Sequence, residues 1–334
     1  MVPDVVAPNL KRRLSGVTAT IARLVPVQAR DISIAATGPG LPAGVPHVPL
    51  IRAMTAPRDR WRVWHARRNT EMLTGLFLRH VLRRKYRLLF TSASQRRHSG
   101  YTKWLIGRMD GIVATSEKGA AYLDRGADVI LHGIDTEVFT PPQDRPALRT
   151  RLGLPQGRLV GCYGRIRPSK GTDNFVAAMI DLLPRHPDVT ALVMGRAVDK
   201  DRAFLDDLKA RIAAAGLTDR ILLRPEVTVD RMPDWYAALD LYVAPQRWEG
   251  FGLTPLEAMA CGVPVVATRV GAFEELLGDT GRLVAPDDVP ALREAIAALL
   301  DTPPSDAPRA RVEGGFRIED EARALNAVYR RMLA

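Results

Sequence analysis

The segment from Leu241 to Ala267 constrains the fold more than any other part of the chain. Leu241-Tyr242-Val243-Ala244 is a short apolar run with strand character. Trp248-Glu249-Gly250-Phe251-Gly252 follows as a tight loop, and its glycines allow the backbone to approach a ligand closely. Leu253 onward has a helical pattern, with Pro255 suited to the first turn and Gly262 and Pro264 suited to the end. Pro264 to Ala267 then reads as the next buried strand. A strand, loop, helix and strand in that order suggest parallel strands. Glu249 is expected at a strand's carboxyl end and Glu257 in the first helical turn. Between them the free amides of a helix N-terminus make an anion site with an acid on either side.

The same alternation runs through the chain. Asp4 to Ala7, Ile32 to Ala35, Arg87 to Phe90, Gly111 to Ala114 and Val129 to Leu131 read as strands in the first half. Leu159 to Tyr163, Thr190 to Met194, Ile221 to Leu223, Leu241 to Ala244, Pro264 to Ala267 and Arg282 to Val284 do so in the second. Helical patterns fill most intervals, which predicts an α/β fold with two parallel sheets wrapped by helices. The 334 residues suffice for two domains of ordinary size. Thr140-Pro141-Pro142-Gln143-Asp144-Arg145-Pro146 is the best linker. The expected division is 1–140 and 147–316, with 317–334 as a terminal helix.

A second constellation precedes the first. Gly161-Cys162-Tyr163-Gly164-Arg165-Ile166-Arg167-Pro168-Ser169-Lys170-Gly171 continues an apolar strand start, and Thr172 or Asp173 is placed to cap a helix beginning near Phe175. Arg165 and Lys170 on a glycine-bounded loop suit a diphosphate.

Together, Gly164-Arg165…Lys170-Gly171 and Glu249-x7-Glu257 resemble the retaining glycosyltransferases of the GT-B fold, within the glycosyltransferase 4 family of many bacterial mannosyl- and glucosyltransferases. Val129-Ile130-Leu131-His132-Gly133-Ile134-Asp135-Thr136-Glu137-Val138-Phe139 resembles that family's approach to its interdomain linker, with His132 where many members have Asn. The likeness is strong from about Asp128 to Pro286. The segment Pro8 to Pro26 resembles lipopolysaccharide inner-core mannosyltransferases of Gram-negative bacteria.

The resemblance implies two Rossmann-like domains facing across a cleft, an N-terminal one for the acceptor and a C-terminal one for a nucleotide-sugar, with the terminal helix packing back on the first. It implies Arg165, Lys170 and Glu249 as catalytic residues. Arg165 and Lys170 would stabilise the leaving phosphate without a metal. Donor binding would fall to Gly16, Gly164, Phe251, Gly252, Leu253, Thr254 and Glu257, with Glu257 on the ribose and Glu249 on the sugar hydroxyls. Acceptor binding would fall to Lys11, Arg12, Arg13, Ser15, Arg96, Arg97 and His98. The implied donor is GDP-mannose, with a UDP-sugar as the alternative, and no cofactor is implied. The implied acceptor is an anionic lipid-linked saccharide such as lipopolysaccharide inner core. A non-catalytic nucleotide-sugar-binding protein is the other reading.

Other classes fit less well. No glycine-rich Gly-x-Gly-x-x-Gly follows the first strand, as a nicotinamide dehydrogenase needs. No Gly-x-Ser-x-Gly or Walker loop appears. Six histidines and two cysteines give no zinc spacing, and Asp199 with Asp201 read as a helix-start region rather than a metal pair. Cys162 and Cys261 read as buried free thiols, and His132 as structural.

The net charge of +11 is uneven. Residues 1–140 hold 22 Lys+Arg against 10 Asp+Glu, and the remainder 26 against 27. Arg58 to Arg87 is the densest stretch, with Trp61, Trp64, Leu73, Leu76 and Phe77 interleaved at helical spacing. An amphipathic helix on an anionic membrane surface is the expectation, against a solvated helix face. No nucleic-acid motif accompanies the charge, so no nucleic-acid partner is expected. No apolar run is long enough to span a bilayer, and Met1 to Asp4 lack a leader's basic end and apolar centre. The expected location is cytoplasmic and peripheral on the inner membrane.

Overall fold

The computed structural model describes residues 2–11 and 16–334. The chain divides into two compact units, Met1–Gly133 with Ile318–Ala334, and Ile134–Arg317.

In the first unit six strands form one parallel sheet in the order β2-β1-β3-β4-β5-β6. They are β1 Val5–Pro8, β2 Ile34–Thr37, β3 Arg62–Ala66, β4 Tyr86–Ser92, β5 Gly111–Ala114 and β6 Asp128–Val129. The register pairs Val6 with Trp64, Trp64 with Leu88 and Phe90 with Ile112. One face is packed by Met72, Leu76, Leu105 and Ile106, and the other by Ile21, Leu24, Leu325 and Tyr329. The helix Ile318–Leu333 is therefore part of this unit, packed against the helix Gly16–Gln28.

In the second unit the order is β12-β11-β10-β7-β8-β9, again all parallel. These strands are β7 Arg158–Tyr163, β8 Val189–Met194, β9 Ile221–Arg224, β10 Leu241–Ala244, β11 Val265–Thr268 and β12 Arg282–Val284. β7, β8, β10 and β11 are covered on both faces, so their sequences are nearly continuous apolar runs. In each sheet the strand order reverses once, between β1 and β3 and between β7 and β10. In open parallel sheets such reversals mark the crevice where ligands bind, beyond the carboxyl ends of the strands.

Several sequence expectations are corrected. Arg58 to Arg87 is not one amphipathic helix. It holds β3, the helix Asn69–His80 and the start of β4. Trp64 is fully buried rather than interfacial, and its indole donates to the Glu71 carbonyl at 2.8 Å. Arg62 is buried too, donating to the Pro57 carbonyl and to Asp59. The strand expected from Ile32 begins at Ile34, and that expected through Leu131 ends at Val129. The chain joins the second unit at Ile134, before the proline-rich stretch. Ile134 N–H donates to the Phe316 carbonyl at 2.8 Å and Phe139 packs on Tyr236. Arg145 and Pro146 already belong to a helix capped by Asp144.

Tyr329 on the terminal helix meets a buried polar cluster. Its hydroxyl is 2.6 Å from His65 Nδ1, and Nε2 of the same ring is 2.6 Å from the Thr91 hydroxyl. Burial, reinforced by nearby Arg67, holds the His65 imidazole well below its ordinary range. A native state that keeps this ring neutral competes with an unfolded state that protonates it below about pH 6.5. Stability contributed here is present above that value and lost as pH falls. Denaturation midpoints should drop between about pH 7 and 5, and His65→Gln should flatten that dependence. An unchanged slope in the variant would discharge His65 from the effect.

Candidate functional site

The loops that follow β7 and β10 lie at the reversal in the second sheet. After β7 the chain passes through Gly164 and the exposed Arg165, buries Ile166, and makes a tight turn at Pro168–Lys170. Gly171 then has φ +66°, and a Cβ there would meet the Pro245 carbonyl oxygen at 1.8 Å. Only glycine lets this turn press against the backbone beyond β10. The following helix is Thr172–Leu182, so it starts earlier than Phe175. Gly171, not Thr172 or Asp173, occupies the cap position.

After β10 the loop carries Arg247, Trp248 and Glu249 to Gly250. Glu249 accepts from the Lys170 ammonium, and its other oxygen accepts from Gly250 N–H at 3.1 Å. Gly252, at φ +91°, has the Phe273 ring 2.2 Å from where a Cβ would stand, so the loop presses against the helix Phe273–Leu277 as it enters the helix Leu253–Ala260. No side chain caps that helix at Gly252. Phe251 is buried, and Gly252, Leu253 and Thr254 are half-buried around the helix start. Glu257 is 6% exposed. It lies in the second turn, not the first. Burial, and then the Glu257 charge beside it, holds the Tyr236 hydroxyl well above its ordinary range.

Gly164, Arg165, Lys170, Thr172 and Gln246 line one small cavity with Cys162, Tyr163 and Val193. Arg165 has no hydrogen-bond or ion-pair partner among the described residues. Burial pushes the Cys162 thiol up to about 12, which removes it as a nucleophile at neutral pH. Cys261 is also a buried free thiol. A cavity of about 380 Å³ opens at the opposite, amino ends of the strands, beside Arg158, Asp240 and Arg282. It touches none of the expected site residues, and topology rather than volume singles out the candidate site.

Sequence reasoning missed Arg247. Its guanidinium donates to both Asp173 oxygens at 2.8 Å, to Asp287 at 2.6 Å, to Asn174 at 3.0 Å and to the Pro168 carbonyl. Its backbone N–H donates to the Ser169 carbonyl at 3.1 Å. One side chain thus fixes the Lys170 turn, the helix Thr172–Leu182 and the loop after β12. The partner Asp173 is 74 positions away, beyond the reach of any local motif.

In the first unit Lys11 is exposed, and Arg12, Arg13 and Ser15 lie outside the described residues. Gly16 opens the helix Gly16–Gln28, is exposed, and has open space where a Cβ would stand. Arg96 and Arg97 are exposed in the loop after β4. His98 is half-buried there, 3.3 Å from the Ser92 hydroxyl, and burial with nearby Arg96 and Lys103 lowers its pKa. A further missed cluster sits at the β1–β3 reversal. Arg68 bridges Glu71 at 2.8 Å and Asn9 at 3.0 Å, with Glu71 and Asn9 fully buried. His132 is 2.8 Å from Glu321 of the terminal helix, a structural link. Asp199 and Asp201 form a tight turn before the helix Arg202–Ala214 without a side-chain cap bond. No group of three His, Cys, Asp or Glu side chains suited to a metal converges among the described residues, and none of their helices is long and apolar enough to cross a membrane.

The chain is similar to proteins of known family and fold. Residues 157–302 match the family model for glycosyl transferases group 1. The chain is 55% identical to lipopolysaccharide core biosynthesis mannosyltransferase LpsB of Rhizobium meliloti, across 99% of this chain and 98% of that one. It is 50% identical to lipopolysaccharide core biosynthesis mannosyltransferase LpcC of Rhizobium leguminosarum bv. viciae, across 99% and 97%. Anabaena HepE, solved in complex with UDP, superposes with a TM-score of 0.83 at 20% identity, covering 97% of this chain and 99% of its own. Sucrose-phosphate synthase of Thermosynechococcus elongatus gives 0.79 at 21%, covering 98% of each. These structures speak to the fold, which is GT-B. Given 55% identity over almost the full length of a relative, the chain belongs to the glycosyl transferases group 1 family and is a glycosyltransferase.

Proposed function

We propose that the enzyme transfers mannose from GDP-mannose, with retention of configuration, to an anionic lipid-linked saccharide of the lipopolysaccharide inner core. The observation that carries the substrate class is the 55% identity to a lipopolysaccharide core mannosyltransferase. The chemistry is supported by the meeting of Lys170 with Glu249 at a strand-order reversal, next to an uncapped helix start. Arg165 and Lys170 stabilise the negative charge that grows on the departing diphosphate. The amides of Phe251, Gly252 and Leu253, with Gly164 and Thr254, line the phosphate and sugar. Glu257 accepts from the ribose hydroxyls. Glu249 takes the sugar hydroxyls while holding the Lys170 ammonium in place.

The bond from the anomeric carbon to the phosphate oxygen breaks as a bond to the acceptor oxygen forms on the same face. The acceptor's hydroxyl proton leaves on the phosphate. In the first unit, Lys11, Arg12, Arg13, Ser15, Arg96, Arg97 and His98 are assigned to the anionic acceptor. Gly16 is assigned to close approach of phosphate or acceptor. The proposed location is the cytoplasmic side of the inner membrane.

A panel of nucleotide sugars read by thermal shift tests the donor assignment, because a ligand stabilises the folded state according to its affinity. GDP-mannose should give the largest shift, with the shift and the turnover kept in excess EDTA. A larger shift with UDP-sugars would replace the donor. Loss of turnover in EDTA with recovery on added Mg²⁺ or Mn²⁺ would overturn the metal-free mechanism and reopen Asp199 and Asp201.

A further inference from the structure

The helices Asn69–His80 and Gly100–Ile106 lie side by side on the first sheet. Their inner faces, with Met72, Leu76, Leu105 and Ile106, share one core. They are tied at one end by Asn69 Nδ2 donating to Thr102 Oγ1 at 2.8 Å. At the other end Arg79 donates to Asp110 at 2.7 Å and to the Arg108 carbonyl at 3.0 Å. Their outer faces are apolar where a solvated helix pair would be polar. Leu73, Phe77 and, just past the helix end, Val81 recur every fourth residue at 47%, 42% and 63% exposure. Beside them Tyr101 and Trp104 are 52% and 46% exposed, their rings stacked with centroids 6.3 Å apart. The Arg108 guanidinium lies over the Trp104 ring at 3.9 Å.

Scattered exposed apolar residues are ordinary, but five large ones on two adjoining helices form a patch of the kind that meets a partner. The charge around it identifies the partner. Residues 69–109 contain nine Lys and Arg against one acid, Glu71. Glu71 is fully buried and paired with Arg68. The acids nearby on other segments are matched, Asp110 by Arg79 and Asp124 by Lys103. Arg83, Lys85, Arg96, Arg97 and Arg108 are exposed. Tyr and Trp rings with cations beside them suit the boundary between lipid headgroup and acyl chain. A protein partner of ordinary acidity would meet the cations, but it would leave the Leu73–Phe77–Val81 stripe needing its own apolar match.

We infer that the outer face of Asn69–His80 and Gly100–Ile106 is a docking surface for a bilayer containing anionic phospholipid. Tyr101, Trp104, Leu73 and Phe77 enter the interface, and Arg83, Lys85 and Arg108 meet the lipid phosphates. This goes beyond the proposed sugar transfer, since neither donor nor acceptor takes part. It also moves the membrane contact away from Arg62, Arg67, Arg68 and Arg84, each of which bonds inward.

Co-sedimentation of the full chain with vesicles of phosphatidylcholine and phosphatidylglycerol tests this. Binding should be strong at low salt, weaken as salt rises, and be much weaker on pure phosphatidylcholine. The pair Tyr101→Ser with Trp104→Ser should lower the partition by roughly tenfold, the scale for withdrawing about 1.4 kcal/mol of buried aromatic surface. Leu73→Ser with Phe77→Ser, on the other helix, should do the same, so a folding defect in one pair leaves the other to decide. Melting temperatures should stay near that of the parent, because these side chains are exposed. Arg83→Gln with Lys85→Gln should weaken binding to the anionic vesicles only. No binding of the parent at low salt, or unchanged binding in a folded apolar variant, would overturn the proposal. Salt-insensitive self-association that the same substitutions abolish, without vesicle binding, would assign the face to a second copy instead.

Discussion

Replacing Lys170 by alanine is expected to cut turnover by roughly 10²–10³, the scale for losing one preorganised charge-stabilising donor. Two effects add. On the proposed mechanism the departing diphosphate loses a cation, and Glu249 loses the ammonium that holds it in place. Arg165→Ala should reach a similar loss by the first effect alone. Its side chain is exposed and has no described partner, so the melting temperature should hardly move. Lys170→Arg should recover part of the rate because the charge stays, though the fork is a poorer fit to one carboxylate oxygen. Steady-state kinetics beside a thermal melt separate these cases. Near-normal turnover in either folded alanine variant would remove that residue from the mechanism.

Arg247→Ala should lower turnover by about 10–100-fold, the usual cost of removing a residue that holds a catalytic group in position. Arg247 is a positioning residue. It clamps Asp173 with two parallel bonds, and its bonds to Asp173 and then Asp287 raise its own pKa. Asp287, at a left-handed φ of 64°, is held there by Asn174 and Arg247, which also lower its pKa. Without the guanidinium the Pro168–Lys170 turn is tied to the loop after β10 by the backbone bond at Ser169 and by the Lys170–Glu249 pair. Lysine should not rescue, since one ammonium cannot reproduce the bidentate clamp. A purely structural role would cost the same in any background. A positioning role predicts that Arg247→Ala adds little once Lys170 is already alanine, a coupling that a double-mutant cycle reads directly. Full additivity would reduce Arg247 to a fold-stabilising residue.

Apolar runs made the second sheet legible, because β7, β8, β10 and β11 are covered on both faces and their residues have no polar alternative. β3 was not legible. Arg62-Val63-Trp64-His65-Ala66 looks like a mixed surface segment, yet every residue in it is buried. Its polar members are satisfied by groups the sequence does not set beside them. Arg62 bonds the loop before the strand, and His65 bonds Tyr329, 264 positions away. The single amphipathic helix expected over Arg58 to Arg87 failed for the same reason, since it counted cations without knowing which ones bond inward.

The site divides similarly. Glycines that the fold requires, Gly171 and Gly252, punctuate the motifs that make Lys170, Glu249 and Glu257 candidates. Arg247 reaches Asp173 across 74 positions and Arg68 reaches Asn9 across 59, and spacing says nothing about such partners. Glu257 was read one turn too early because Pro255 suggested the first turn, whereas the helix begins at Leu253.

The proposed reaction is retaining mannosyl transfer driven by the Arg165 and Lys170 cations. It is tested most directly by incubating the enzyme with GDP-mannose and a lipid-linked core acceptor, then reading the new anomeric centre by NMR. GDP-mannose carries its sugar as the α anomer, so an α-mannoside is expected, formed by the parent enzyme and reduced by orders of magnitude in the Lys170→Ala variant. A β-mannoside would contradict same-face transfer, and no transfer from GDP-mannose alongside efficient transfer from another nucleotide sugar would contradict the donor.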